Sequence, residues 1–161
     1  MTMATKKPFL SGDSGFTSLP EGARVPKNHP RIRFFGALDE LTCRLGVARL
    51  AVSKTDATLL LRFQQALIHA AAGNGNSATK LKTELVYLEA KTKALEKKLP
   101  PLKKFLLPGD NVAETALHCA RSACRAAELK ACILPNNTLA AVYLNRLSRC
   151  LFALARLQSA K

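Results

Sequence analysis

His118, Arg121, Arg125 and Glu128 follow one another at spacings of three, four and three residues. At about 100° per residue they fall within about 80° of arc on a helix, so two guanidinium groups, an imidazole and a carboxylate share one polar stripe. Such a stripe either grips an anion or is a solvated helix face carrying i,i+4 charge pairs. Asn145, Arg149, Phe152 and Arg156 line up the same way at 4-3-4 spacing and present the same two alternatives. Opposite the first stripe, Ala116, Cys119, Ala120, Ala123 and Ala127 are small and apolar, which predicts a face that packs closely against the rest of the molecule.

A third group lies near the start of the chain, where Ser11-Gly12-Asp13-Ser14-Gly15-Phe16-Thr17-Ser18 is followed by Arg24 and Lys27. Two glycines among small hydroxyl residues let backbone N–H groups approach a phosphate, with the cations adding attraction; a simple turn would use the same residues. The segment is not a Walker A loop, because the GK[ST] ending is missing. Asp39 and Glu40, within Gly36-Ala37-Leu38-Asp39-Glu40-Leu41, place two acids in the first turn of a predicted helix, where the helix dipole favours negative charge.

The elements that must position these residues follow from proline, glycine and hydrophobic spacing. Residues 1–33 carry Pro8, Gly12, Gly15, Pro20, Gly22, Pro26 and Pro30, so they are expected to form an extended arm, and residues 34–161 a helical domain. Leu38, Leu41, Leu45 and Ala48 predict a first helix from about Phe34 to Val52. Asp56 is the expected cap of a second, carrying Leu59, Phe63, Leu67 and Ala70 and stopping at Gly73-Asn74-Gly75-Asn76. A third, from about Ser77 to Leu99, bears Leu81, Leu85, Leu88, Leu95 and Leu99 and a lysine-rich surface running on to Lys103 and Lys104. A fourth starts at Asp110 or Asn111 and reaches about Ala131; a fifth, after Pro135-Asn136-Asn137, turns Leu144, Leu147, Leu151 and Leu154 inward. No run of β-branched residues predicts a strand, and the fold class expected is an all-α antiparallel five-helix bundle.

Composition limits the partners. The chain has 161 residues, 48% of them hydrophobic, with 25 Lys and Arg against 11 Asp and Glu for a net charge of +14. That is one domain with material for a core, drawn to anions. The longest uncharged run, Phe63 to Thr79, contains Gln64, Gln65, Asn74 and Asn76, which argues against a membrane span. Cys43, Cys119, Cys124, Cys132 and Cys150 show no CxxC spacing and are expected to be buried thiols of a reducing compartment. Lys6 and Lys7 precede no secretory apolar core, so the cytoplasm or, through a clipped presequence, the mitochondrion is the expected location.

Taken in order, Gly-Asp-x-Gly-x-Thr-Ser-Leu (Gly12 to Leu19), Arg-Val-x-Lys (Arg24 to Lys27), Gly-x-x-Asp-Glu-Leu (Gly36 to Leu41), Phe-x-x-Pro-Gly (Phe105 to Gly109), Ala-Arg-x-x-Cys-Arg-x-Ala-Glu (Ala120 to Glu128) and Tyr-Leu-Asn-Arg-Leu-Ser (Tyr143 to Ser148) span nearly the whole chain. The series resembles the PduO-type ATP:cob(I)alamin adenosyltransferases over residues 9–157. The resemblance implies a homotrimer of five-helix bundles, with ATP and its Mg²⁺ and the corrinoid cobalamin bound between subunits. By motif position Gly12, Asp13, Gly15, Thr17 and Lys27 would wrap the triphosphate. Arg121 and Arg125 would contact ATP as catalytic residues, Arg121 also pairing with Asp39 of the adjacent subunit, and Glu128 and Asn145 would complete the nucleotide pocket. Phe105 would stand beside the corrinoid, where the family places the aromatic that displaces the lower cobalt ligand. No resident metal site is expected in the protein itself. The sequence departs from the family pattern at Ala126 and Leu129, where arginines are usual, and at Ser11, Asn28, Asp110 and Arg149. Arg149 is a candidate to replace a lost arginine.

A competing reading makes the chain a non-catalytic homologue within a ribonucleoprotein, such as an organellar ribosome, or another large assembly. Lysines from Lys80 to Lys104 would then contact RNA phosphates without base specificity, although Glu84, Glu89 and Glu96 are interspersed there. With 6% aromatics and no tryptophan, no stacking platform for single-stranded RNA is expected.

Overall fold

A computed structural model describes residues 12–73, 75–103, 105–136 and 138–159. Ser11, Asn74, Lys104 and Asn137, with the Lys6 and Lys7 segment, lie outside the described residues. Five helices dominate: α1 (Pro30–Ala51), α2 (Lys54–Ala72), α3 (Gly75–Glu96), α4 (Val112–Cys132) and α5 (Thr138–Ser159). The arm also forms a small antiparallel hairpin, β1 (Phe16–Ser18) with β2 (Arg24–Pro26), pairing Phe16 with Pro26 and Ser18 with Arg24. The expectation of no strand fails here because three-residue strands are too short for a period-two pattern. Their turn is legible instead: Pro20 follows Leu19, whose carbonyl accepts from Gly22 N at 2.8 Å, and Gly22 takes φ 94°, a conformation that favours glycine.

Helix ends differ from the periodicity by a few residues, each for a local reason. α1 begins at Pro30 rather than Phe34, because proline at the first helical position needs no N–H partner, and the His29 ring accepts from Arg31 N. The cap of α2 is Ser53, not Asp56: the Ser53 hydroxyl accepts from Asp56 N at 3.2 Å and donates to the Asp56 carboxylate at 3.0 Å, a reciprocal capping arrangement. α3 starts earlier, at Gly75, and ends at Glu96. Lys98 N and Leu99 N there make tighter three-residue bonds to Leu95 O and Glu96 O ahead of Pro100, which disfavours helix at its predecessor. Asn111 caps α4, its side chain accepting from Glu114 N at 2.9 Å.

The predicted core leucines of α1, α2 and α5 are all buried; on α3 Leu81, Leu88 and Leu95 are buried while Leu85 and Leu99 pack at the edge. Around the core the helices form a closed ring in the order α1, α2, α3, α5, α4, with α2 also touching α5 across it. Successive helices alternate in direction, and a ring of five alternating members must contain one parallel neighbour pair. That pair is α3 with α5, where Glu89 meets Arg146 and Glu96 meets Arg149 in the same chain direction. Because α3 and α4 do not touch, the connection between them passes the end of α5, where Arg156 reaches Pro100 O and Asn111 Nδ2 donates to Gln158 O at 3.0 Å.

Candidate functional site

Polar chemistry concentrates where α4 lies antiparallel to α5. Ala116, Ala120, Ala123 and Ala127 are buried as expected, letting α4 approach its neighbours closely, but Cys119 is exposed on the outer side. Cys43 and Cys132 are exposed too, so only Cys124 and Cys150 fit the expected burial. Apolar surroundings push the Cys150 thiol up to about 11 and Cys124 higher still, which leaves both inert. His118 is no solvated stripe residue, being only 5% exposed. Its Nε2 lies 3.0 Å from Glu114 Oε1, and its Nδ1 accepts from Arg121 Nε at 3.2 Å. Burial holds the imidazole below its ordinary pKa; Arg121 acts in the same direction, whereas Glu114 and Asp110 oppose it.

On α5, Phe152 faces this cluster. Its ring lies 5.9 Å from the His118 ring, and the Arg121 and Arg156 guanidinium groups stand 5.9 and 6.0 Å from its centroid. Arg125 is exposed and makes no hydrogen bond or ion pair among the described residues. Glu128 is half-buried beyond it on the same stripe, and Asn145 is exposed on the facing helix. Arg149, despite sharing the stripe's spacing, turns to α3, where Glu96 takes it in a bidentate pair at 2.6 and 2.8 Å. It therefore does not stand in for a missing arginine on α4.

Residue Glu114 went unread in the sequence. It is 1% exposed, and its carboxylate also accepts from Gly109 N and Thr115 Oγ1, each at 3.0 Å. The Asn111-Val112-Ala113-Glu114 spacing, a capping residue with an acid three positions on, would have marked it.

The arm gathers a second cationic group. Gly15 takes φ 79°, Gly15 N donates to Gly12 O at 3.3 Å, and Lys27 N donates to Gly15 O at 2.8 Å. The Lys27 ammonium folds against Gly12, so close that a Cβ there would sit 3.4 Å from Nζ. Gly12, Asp13, Gly15, Thr17 and Lys27 are thus one small unit, with Arg24 donating to Ser14 Oγ at 3.2 Å. Glu21 pairs with Arg31 and fastens the hairpin to α1; that bond holds the Glu21 carboxyl below the usual range.

Two residues stand apart. Asp39 faces the groove between α1 and α2, beside Thr42 and Gln64, on a different side of the bundle from Arg121. Phe105, on the segment crossing the end of α5, is 90% exposed. Among the described residues the β1–β2 hairpin does not pack against α4 or α5, and Asp39 and Arg121 share no hydrogen bond or ion pair. No group of three or more His, Cys, Asp or Glu among the described residues could hold a metal ion.

The model of the family described as cobalamin adenosyltransferase matches residues 9–158, which takes in the arm unit and all five helices. The chain belongs to the cobalamin adenosyltransferase family. Among curated relatives, the corrinoid adenosyltransferase PduO of Salmonella typhimurium is 36% identical over 159 residues, covering 91% of this chain, and the chain spans about half (47%) of that relative's length. A corrinoid adenosyltransferase of Citrobacter freundii is 32% identical over 164 residues, with 92% of each protein covered. Among solved structures, a variant PduO-type ATP:corrinoid adenosyltransferase from Lactobacillus reuteri complexed with cobalamin and ATP superposes with TM-score 0.85 at 27% identity, covering 96% of this chain and 94% of that one. The family's five-helix fold is the one the periodicity predicts.

Ala126 and Leu129, the positions where the resemblance led arginines to be expected, fall on one face. They extend an exposed stripe of α4 that includes Val112, Cys119 and Ile133, next to exposed Val47 and Leu50 of α1. Apolar surface therefore lies beside Arg125 on α4.

Proposed function

We propose that the chain is a corrinoid adenosyltransferase that moves the 5′-deoxyadenosyl group of ATP to cob(I)alamin and releases triphosphate. The observation that carries this reading is the pair Arg121 and Arg125, two guanidinium groups on one face of α4 that have no carboxylate partner among the described residues, whereas Arg62, Arg146 and Arg149 are each taken up by a glutamate. In the reaction the cobalt electron pair attacks C5′, the cobalt–carbon bond forms, and the C5′–O bond breaks with its electrons going to triphosphate. Negative charge grows on the leaving phosphate, and positioned guanidinium groups lower that cost. Gly12 and Gly15, with Asp13, Thr17 and Lys27, supply a second cationic cradle for the triphosphate; Glu128 and Asn145 border the nucleotide, and the exposed ring of Phe105 meets the corrinoid. Mg²⁺ arrives with ATP and is held mainly by phosphate oxygens and water.

The working unit is a homotrimer with sites between subunits. Two separations among the described residues and one uncovered surface support this: Asp39 lies on another face from Arg121, the β1–β2 hairpin does not pack against α4 or α5, and the apolar stripe of α4 and α1 is exposed in a single chain. No helix is long and apolar enough to cross a membrane among the described residues. Five thiols without a disulfide suit a reducing cytoplasm or mitochondrion.

One observation favours a second role. Glu84, Glu89 and Glu96 of α3 are taken up by Arg62, Arg146 and Arg149 of neighbouring helices, so they do not neutralise the exposed lysines of α3. A basic face of this kind would hold RNA in a ribonucleoprotein. An anaerobic assay with Mg-ATP and chemically reduced cobalamin decides: turnover that is lost in Arg125→Ala is expected. No turnover from a folded, oligomeric protein would overturn the enzyme reading in favour of the RNA-binding one.

A further inference from the structure

We propose that Glu114 and His118 are positioning residues that hold the Arg121 guanidinium in place for ATP through a single tautomer of the imidazole, an inference that rests on the function proposed above. A carboxylate as buried as Glu114 must have its oxygens satisfied. Gly109 N and Thr115 Oγ1 occupy Oε2, and His118 Nε2 occupies Oε1 at 3.0 Å. Arg121 Nε donates to Nδ1 at 3.2 Å, so Nδ1 is bare and a neutral ring carries its proton on Nε2, the nitrogen that faces the Glu114 carboxylate. The Nε2–H tautomer alone satisfies both contacts, because a protonated ring or the other tautomer would set N–H against N–H.

Capping does not require this arrangement. Asn111 already caps α4, and the Glu114 carboxylate already takes up the Gly109 N–H. The imidazole adds the link from that carboxylate to Arg121, against the Phe152 ring. A long side chain fixed before substrate arrives loses less rotamer entropy on binding. The same carboxylate holds Gly109, the last residue of the Phe105 to Gly109 motif, so the segment bearing Phe105 and the arginine bearing ATP are fastened to one group. The charged groups around His118 are Glu114 and Arg121 on α4, Asp110 before it, and Arg156 of α5 across Phe152; Arg44 of α1 lies in the groove on the far side of α4, beside Cys119.

The test compares His118→Phe, which keeps a ring against Phe152 but deletes the hydrogen bond from Arg121 and the polar contact with Glu114, with His118→Asn, whose amide oxygen restores an acceptor near the Nδ1 position. In the full chain His118→Phe is expected to raise the KM for ATP and the calorimetric Kd for Mg-ATP about tenfold, leaving the KM for corrinoid unchanged, and His118→Asn to recover most of that loss. Unchanged ATP affinity in a folded His118→Phe protein, or no recovery in His118→Asn, overturns the proposal. ¹⁵N NMR of the His118 ring at neutral pH reads the device without turnover. A protonated Nε2 with bare Nδ1 is expected, and the opposite tautomer overturns the proposal even if the enzyme is active. Lack of ATP binding by a wild-type protein that shows the expected tautomer would instead count against the function.

Discussion

Helix α5 has two polar flanks, and they treat arginine in opposite ways. Towards α3, Arg146 and Arg149 are closed by Glu89 and Glu96. Towards α4, Arg121 meets an imidazole and an aromatic ring, and Arg125 meets nothing among the described residues. Paired guanidinium groups have spent their charge within the protein, whereas those of the α4 flank keep theirs for a ligand. Helical spacing places all of these arginines on comparable stripes. What separates them is the acids within reach: α3 offers Glu89 and Glu96, whereas on α4 Glu114 is held by Gly109, Thr115 and His118, and Glu128 forms no ion pair with Arg121 or Arg125 among the described residues.

The contrast is broken most severely at Arg121. Arg121→Ala is expected to lower kcat/KM for ATP by about 10²–10³, in line with about 2–4 kcal/mol for a lost charge-stabilising group. Arg149→Ala should leave kcat/KM within about twofold and change stability by less than about 1 kcal/mol, the usual worth of an exposed ion pair. Steady-state kinetics and urea melts on both variants check this; equal losses would erase the distinction between the flanks.

Acid should weaken the α4 flank selectively. Burial lowers the folded pKa of His118 below 6.5, so just under that pH the unfolded chain binds a proton that the folded chain refuses. Stability contributed by the neutral ring is complete above pH 6.5 and falls as pH drops from 6.5 towards the folded value, by at most about 1.4 kcal/mol per unit for one proton. Urea titrations between pH 5 and 7 should show that slope, and His118→Gln should flatten it. The smallest effect belongs to Tyr143, fully buried with its hydroxyl unpaired: Tyr143→Phe should leave the protein as stable or up to about 1 kcal/mol more stable by thermal unfolding.

Much of this was legible in the sequence. The leucine spacing of α1, α2 and α5 names their buried faces, and the order of six motifs names the family. Arg149 could not be assigned, because its spacing matches the site stripe and only the position of Glu96, on a helix far away in sequence, turns it aside. His118 was misread for a related reason: a histidine among arginines reads as surface until the burial of Glu114 beneath it is known. The hairpin in the arm was missed because two three-residue strands carry too little pattern, although Pro20 and Gly22 announce the turn between them.

The odd-numbered ring also has a kinetic meaning. α4 and α5 are sequence neighbours, so the surface carrying Arg121, Arg125 and Phe152 closes through a short loop and at low entropic cost. Joining α1 to α4 and α3 to α5 requires partners far apart in the chain, so their loop-closure cost is higher and they are expected to form later, as φ-values at the two seams would show. Weakening either seam therefore speeds unfolding more than it slows folding, and the arginine face outlives the ring that encloses it.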